Sequence, residues 1–368
     1  MANEIVRVPV ETIQSFAIDV FTALGVPPDE AKTCAEVLIT SDLRGIESHG
    51  VGRLKMYYDR VKQGILSPTT KFEIVKETET TALIDGHNGM GHVISVRAME
   101  MVIDKARKYG MGSAAVREST HFGIDGYYPL MAAAEGMIGM AFTNARPSMA
   151  PTFGVDPLLG TNPIAFGAPS DEEFPFLYDA ATSITQRGKI EVLDRAEKPT
   201  PAGWVIDRQG KTATDTKAIL AGLKKKENAF VPLGGIGETM GGQKGYDLAT
   251  MVEILSASLQ GGMFLSALSG FNPDGSSRPH RLGHFFMAID IEHFVPLEQF
   301  KKTTGDILRG LRNSTKAPGE EHIYTAGEKE WMKEKGIRTH GIPINPNLQK
   351  NLLIMQEDLG LDSYNFPF

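Results

Sequence analysis

Ser41-Asp-Leu-Arg-Gly-Ile-Glu-Ser-His-Gly-Val-Gly-Arg-Leu-Lys-Met-Tyr-Tyr58 is the stretch around which the chain is organised. It places Arg44, Glu47, Ser48, His49 and Arg53 within ten residues, where a helix is expected to begin. Ser48 suits the N-cap, its hydroxyl oxygen accepting a first-turn N–H. Leu54, Tyr57, Tyr58 and Val61 follow at i, i+3, i+4 and i+7, one buried stripe closed by Gly64. On such a helix His49 and Arg53, four residues apart, share a side. An imidazole exchanges protons near neutral pH, and a guanidinium offers a flat fork for a carboxylate. The pair therefore suits a 2-hydroxy or 2-oxo acid, whose reacting carbon adjoins its carboxylate. The same spacing also describes a capped helix with a surface arginine and a half-buried histidine.

Upstream, Ile13, Phe16, Ala17, Val20, Phe21 and Leu24 mark an amphipathic helix ended by Gly25. Pro27-Pro28-Asp29-Glu30 opens a second, with Ala31, Cys34, Ala35 and Leu38 inward. Downstream, strands are expected at 72–75, 81–84, 113–116, 138–142, 176–183 and 283–290, and helices from Val96 to Gly110 and over 125–135. Between them, residues 146–170 carry five prolines and three glycines among apolar side chains and read as a long functional loop. Gly234-Gly-Ile-Gly-Glu-Thr-Met-Gly-Gly-Gln-Lys-Gly245 is the densest glycine run and feeds a helix with Leu248, Met251, Val252, Leu255 and Leu259 inward. Backbone N–H groups at such a helix start suit a phosphate, with Lys244 adding charge; the run also fits a mobile surface loop. Leu297, Phe300, Thr304, Leu308 and Leu311 mark another helix, and the tail reads as short helices separated by Gly336, Gly341 and Pro343 that return to the N-terminal ones.

Composition narrows the class. The 368 residues are 41% hydrophobic and 23% charged, ordinary for a globular chain with ample core. A formal charge of -7 without a basic patch argues against nucleic acid as a partner. The lone Cys34 excludes an internal disulfide and fits a reducing, cytoplasmic setting; no basic-then-apolar leader and no run of membrane-spanning length stands out.

Several chemistries lack their residues. Gly235-Ile-Gly237 has Met240 where a dinucleotide fingerprint needs glycine, and Gly89-Met-Gly91 fails at Ile94. Gly210-Lys-Thr212 ends like a P-loop, but Val205 occupies the first glycine position. His280 and His284 are four apart, yet Pro279 and Gly283 spoil the helix a metal pair would need, so no metal is expected. No nucleophile elbow is present. His121, in Arg117-Glu-Ser-Thr-His-Phe-Gly-Ile-Asp-Gly126, falls between a strand and a helix, where functional groups often sit.

Together, Arg44-Gly-Ile-x-Ser-His-Gly50 with Arg53, His121-Phe-Gly123, Gly160-Thr-Asn-Pro163, Asp179-x-Ala-Thr-Ser183 and Gly242-x-Lys-Gly-Tyr246 resemble the type-2 malate/L-lactate dehydrogenase family, over about residues 5–345. That family also holds ureidoglycolate, sulfolactate and diketogulonate enzymes. The resemblance implies a nicotinamide-dependent oxidoreductase of α+β fold without a Rossmann domain. It implies a helical domain from 1–75 plus 297–368, a cofactor-binding domain over 76–296, and a homodimer. His49, with Ser48 beside it, resembles the proton donor and acceptor, and Arg53, with Arg44 and Thr161, the substrate site. His121, Phe122 and Gly123 resemble the nicotinamide pocket, and in some members this histidine is the base. Asp179, Ala180, Ala181, Thr182, Gln243, Lys244, Gly327 and Glu328 match cofactor-contact segments, although Ala326 stands where the tail motif has proline. The expected reaction interconverts malate and oxaloacetate with NAD, the choice between NAD and NADP staying open. Alternatives are another 2-oxo acid (pyruvate, sulfopyruvate or a keto sugar acid), a cyclic imine acid, or nucleotide binding without turnover.

Overall fold

The computed structural model describes residues 4–368, apart from the side chain of Arg195. In chain order the elements are β1 (Val6–Val8), α1 (Val10–Ala23), α2 (Pro28–Leu43), α3 (Leu54–Lys62), β2 (Glu73–Glu77), β3 (Thr81–Asp85), α4 (Gly91–Tyr109), β4 (Met111–Ser119), α5 (Tyr127–Ala134), β5 (Met137–Thr143), β6 (Ile164–Ala168) and β7 (Phe176–Ala180). Then come α6 (Arg187–Arg195), β8 (Val205–Asp207), α7 (Thr216–Lys225), β9 (Asn228–Phe230), α8 (Gly242–Glu253), β10 (Leu282–Asp290), α9 (Leu297–Arg312), α10 (Glu328–His340), β11 (Ile342–Ile344) and α11 (Pro346–Leu359).

The periodic stripes of α1 and α2 bury the side chains their spacing selects: Ile13, Phe16, Ala17, Val20 and Phe21 meet Ala31, Cys34, Ala35 and Leu38 in one core. Leu348, Leu352 and Met355 of α11 complete that core, so the tail does return to the start of the chain. A feature absent from the periodicity reinforces it: β1 and β11 pair antiparallel, Val6 opposite Ile344 and Val8 opposite Ile342. Gly336, expected as a break, lies inside α10.

A mixed seven-stranded sheet, ordered β2-β3-β4-β10-β5-β6-β7, forms the other main layer. Only β3 and β4 run parallel, with α4 as their crossover. One face of the sheet packs on α4 and α5 through Ile84, Ile94, Met99, Val116, Tyr128 and Phe286. A smaller core around Met149, Ile190, Val205, Ile219 and Phe230 holds α6, α7 and the β8–β9 pair beyond the sheet.

Two expectations need correction. The proline-rich stretch 146–170 is not loop throughout: β6 occupies Ile164–Ala168. Gly167 belongs in that strand because a Cβ there would lie 2.9 Å from Pro129 of α5. The helix after the glycine run buries only part of its expected face: Val252 is buried and Leu255 half-buried, but Leu248, Met251 and Leu259 are exposed, and Ala249, Glu253, Ser256 and Ala257 are buried instead. Residues Ile254–Ser258, the turn after α8, lie hard against β10, where a Cβ at Gly283 would sit 1.8 Å from the Ser256 carbonyl oxygen, and small side chains, Ser256 and Ala257, occupy that contact. Among the described residues no helix is long and apolar enough to cross a membrane.

Candidate active site

The segment between α2 and α3 is fixed from beneath by a buried acid. Asp42 lies in the last turn of α2, and its Oδ2 accepts the Val51 N–H at 2.7 Å. Gly50 crosses directly over this carboxyl: a Cβ there would lie 1.9 Å from Oδ1. Burial pushes Asp42 up to about 8. The helical path consequently begins at Val51, as one 3₁₀ turn leading into α3, and Asp42 takes the capping role expected of Ser48. The Ser48 hydroxyl instead meets His49 Nδ1 at 2.9 Å. His49 precedes the helix, so its nearness to Arg53 comes from a fold-back of the chain, in which Arg53 Nε donates to the Ser48 carbonyl at 2.5 Å.

His121 arrives from the opposite side, just past β4. Thr120 anchors it, accepting the Gly91 N–H at 2.9 Å and donating to the Gly89 carbonyl at 2.8 Å. The rings of His49 and His121 stack at 5.5 Å between centroids and 15° between planes. Burial, then Arg53, lowers His49 to about 4. Burial also holds His121 well below its ordinary value, with His49, Arg53 and Arg60 acting in the same direction. Both rings are thus neutral near pH 7.

The histidines sit where two lobes of one cleft meet. The larger, about 290 Å³, is lined by Ser48, His49, Arg53, His121 and Thr161 among the expected residues. Arg60, Arg146, Arg187 and Lys224 add four cations to Arg53, and no carboxylate lines this lobe. Among the described residues only Arg187 of the five is ion-paired, to Glu191 at 2.8 Å. Arg60 donates to His280 Nε2 at 3.2 Å, and Arg146 lies over the Phe271 ring. The smaller lobe, about 150 Å³, shares His49, His121 and Thr161 and adds Phe122, Gly123, Asp125, Asp179 and Ala181.

Asp125 stands out in the smaller lobe. It is 3% exposed, and neither carboxyl oxygen has a hydrogen-bond partner. Burial, then Asp179, raises it well above the carboxylate range. Asp179 accepts the Gly126 N–H at 2.8 Å and is pushed up to about 6 by burial.

The other expected residues lie outside this cleft. Ala180 pairs with Ile164 across β7 and β6, and Thr182 donates to the Thr161 and Asn162 carbonyls, supporting the cleft wall from behind. Arg44 and Gly327 line a separate cavity of about 510 Å³ with Trp331 and Glu334, so Arg44 is not beside Arg53. Glu328 is occupied by its own loop, accepting from Thr325 N at 2.9 Å, with His322 Nε2 at 3.0 Å. Gln243 and Lys244 start α8 away from both lobes.

Known proteins resemble this chain over nearly its full length. A sequence profile described as malate/L-lactate dehydrogenase matches residues 8–353. The chain belongs to that family. A malate dehydrogenase of Pyrococcus horikoshii is 43% identical over 357 residues, covering 97% of this chain and 96% of the relative. An L-sulfolactate dehydrogenase of Methanocaldococcus jannaschii is 38% identical over 355 residues, covering 96% and 97%. A crystal structure of malate dehydrogenase from Entamoeba histolytica superposes with a TM-score of 0.95 at 43% identity, over 99% of this chain and 100% of that one. The present dehydrogenase therefore carries the family's whole fold.

Reading the sequence did not single out Tyr57 beyond packing, nor Arg60, Arg146, Asp42 or Asp125. Arg53, Tyr57 and Arg60 fall at i, i+4 and i+7, so a shared helical face was the signal that would have found Tyr57 and Arg60. Arg146 and Asp125 enter through tertiary contacts that no local spacing encodes.

Proposed function

We propose that this dehydrogenase interconverts malate and oxaloacetate with a nicotinamide cofactor. One observation carries the reading: a neutral histidine pair opens onto a lobe with five cations and no acid, a setting for a small substrate with two negative groups. The residues of the smaller lobe fit a flat ring bearing a carboxamide. Phe122, Ile124, Pro163 and Ala181 give apolar walls, and the unpartnered Asp125 carboxyl offers the hydrogen bonds an amide needs. When bound, the nicotinamide accepts or returns the hydride.

This chain's own groups do the rest. Arg53 takes the carboxylate beside the reacting carbon, its Nε already held by Ser48 so that the outer nitrogens are free for a bidentate contact. Arg146 and Arg60 receive the distal carboxylate. His49, neutral and steadied by Ser48, takes the hydroxyl proton during oxidation and returns it during reduction. Asp179 and the backbone from Ala180 to Thr182 continue the cofactor site from the ring. Gln243, Lys244, Gly327 and Glu328 belong to its outer reaches.

The reading further includes a sheet domain over 76–296 that binds the cofactor without a Rossmann unit. Its single parallel pair and lack of a glycine fingerprint support that. A second domain from 1–75 and 297–368 is supported by the core shared between α1, α2, α3 and α11. We propose a cytoplasmic homodimer; light scattering of the purified protein tests the assembly. NAD is the proposed cofactor, with NADP its rival in the assay. A sulfonate would suit the same cations as a carboxylate, which makes sulfopyruvate the second substrate.

Loss of nicotinamide absorbance, with NADH or NADPH and a panel of 2-oxo acids, tests the function. Turnover with oxaloacetate supports it. Preference for sulfopyruvate or pyruvate changes the substrate, and silence with cofactor binding intact overturns the catalytic reading.

A further inference from the structure

We propose that Tyr57 is a positioning residue: it fixes the tautomer of His121, so that the two stacked histidines divide the work at the substrate oxygen. His121 holds that oxygen as a hydrogen-bond donor, and His49 alone moves the proton. The substrate side of this inference rests on the function proposed above; the tautomer does not.

Tyr57 lies fully buried on α3, its ring packed against His92 at 4.7 Å and Phe21 at 6.0 Å. Its hydroxyl reaches two acceptors, both on His121: Nδ1 at 2.5 Å and the carbonyl oxygen at 3.5 Å. Burial keeps the phenol neutral, so it has one proton to donate and cannot leave it unpaired without cost. The nearer acceptor is Nδ1.

A second donor meets the same atom. The Gly123 backbone N–H points at His121 Nδ1 from 3.4 Å, and an N–H can only donate. Gly123 holds this place with φ +85°, where a Cβ would lie 2.5 Å from Val37. An Nδ1 that accepts from two donors has no room for a proton of its own. In a neutral imidazole the proton then sits on Nε2, the nitrogen opposite Tyr57.

His49 is built differently. Its Nδ1 meets only the Ser48 hydroxyl, which gives or receives, and among the described residues its Nε2 has no partner. With Nδ1–H donated to Ser48, the Nε2 lone pair is free to act as base. Two imidazolium rings stacked at 5.5 Å would repel each other, which favours one proton carrier over two. In the oxidation direction the O–H bond of the substrate breaks and its proton goes to His49 Nε2. The C2–H bond breaks with its electron pair, leaving as hydride to the nicotinamide, and the C=O bond forms. His121 Nε2–H donates to that oxygen throughout and keeps its proton.

The test is ¹⁵N NMR of histidine-labelled, cofactor-free protein, with the His121 signals assigned by their loss in His121→Gln. The expected spectrum places the His121 proton on Nε2 in the wild type and mixes both tautomers in Tyr57→Phe. With oxaloacetate, Tyr57→Phe should lower kcat/KM about tenfold, the worth of one hydrogen bond. His121→Gln, which restores an N–H donor, should retain more activity than His49→Gln. A wild-type proton on Nδ1, or an unchanged spectrum in Tyr57→Phe, overturns the assignment; so does the reverse order of the two glutamine variants. If Tyr57→Phe fails to fold, the wild-type spectrum still decides. Because the spectrum needs no turnover, failure of the proposed reaction would leave the tautomer result standing.

Discussion

Two segments of this chain share a plan, polar and glycine-rich residues running into a helix, yet the fold uses them in opposite ways. Residues 41–58 turn their functional groups inward, onto His121 from the loop after β4 and a cationic wall. Residues 234–245 turn their glycines on one another: a Cβ at Gly242 would lie 2.0 Å from the Gly235 carbonyl oxygen, and Lys244 is left at the surface. The first run uses glycine to clear a buried acid, and the second uses it for compact packing. Glycine density therefore marked close backbone approach in both places, and what it approached decided the function. Convergence of charged and proton-bearing groups from separate elements distinguishes the active cleft.

The hardest test of that difference removes the base. His49→Ala should lower kcat by about 10²–10⁴, the usual contribution of general base catalysis, while the NADH dissociation constant stays within about twofold. A comparable loss in His121→Ala with His49→Ala nearly intact would reverse the roles. Burial, then Arg53, holds His49 down at about 4. It stays unprotonated down to that pH, so the acid limb of kcat/KM for malate oxidation should lie well below 6.5. Next come the cations. Arg53→Lys should raise KM for either 2-oxo acid about tenfold, since a point charge cannot replace a planar fork. Arg146→Met should weaken oxaloacetate about tenfold and leave pyruvate, which lacks the distal carboxylate, nearly unchanged. Equal losses on both acids would remove Arg146 from the distal site.

Much of this architecture was legible before the structure. The stripes of α1, α2 and α4 were strong because their apolar side chains repeat with the helix, and the structure buries them as expected. Strand β6 was hidden by Pro163 and Gly167, which break elements locally but here flank and fit a strand pressed on α5. After the glycine run, hydrophobic periodicity locates Val252 inside but not the small Ser256 and Ala257, whose burial comes from close backbone approach to β10. At the site, His49, Arg53, His121 and Thr161 were visible as motif residues and do share a cleft. Tyr57 looked like core because it is core, and its hydroxyl matters only once His121 is brought to it across 64 residues of chain.

The active segment should also reveal its buried support through pH. Asp42 is raised from 3.8 to about 8, so the folded protein keeps a proton that the unfolded chain releases near 4. Its stabilising contribution is therefore complete below pH about 4 and is lost progressively as pH rises toward 8. Asp42→Asn keeps an acceptor for Val51 N–H and has nothing to ionise. Thermal unfolding followed from pH 5 to 9 should show a shallower alkaline decline in this variant, by at least about 1 kcal/mol at pH 8. A parallel decline in both proteins would mean that the carboxyl is already ionised in the native state.

The smallest effect belongs to the other segment. Lys244 is exposed on the first turn of α8, outside both lobes, so any contact with a cofactor phosphate is made in water. An ion pair in that setting is worth little, at most about 1 kcal/mol. Lys244→Ala should accordingly leave kcat unaltered and raise the cofactor KM by no more than about fivefold, an effect that shrinks further in added salt. A loss of tenfold or more, persisting at high salt, would show that this lysine becomes buried against the cofactor in the working assembly. That outcome would bring the two segments into a single site and end the contrast between them.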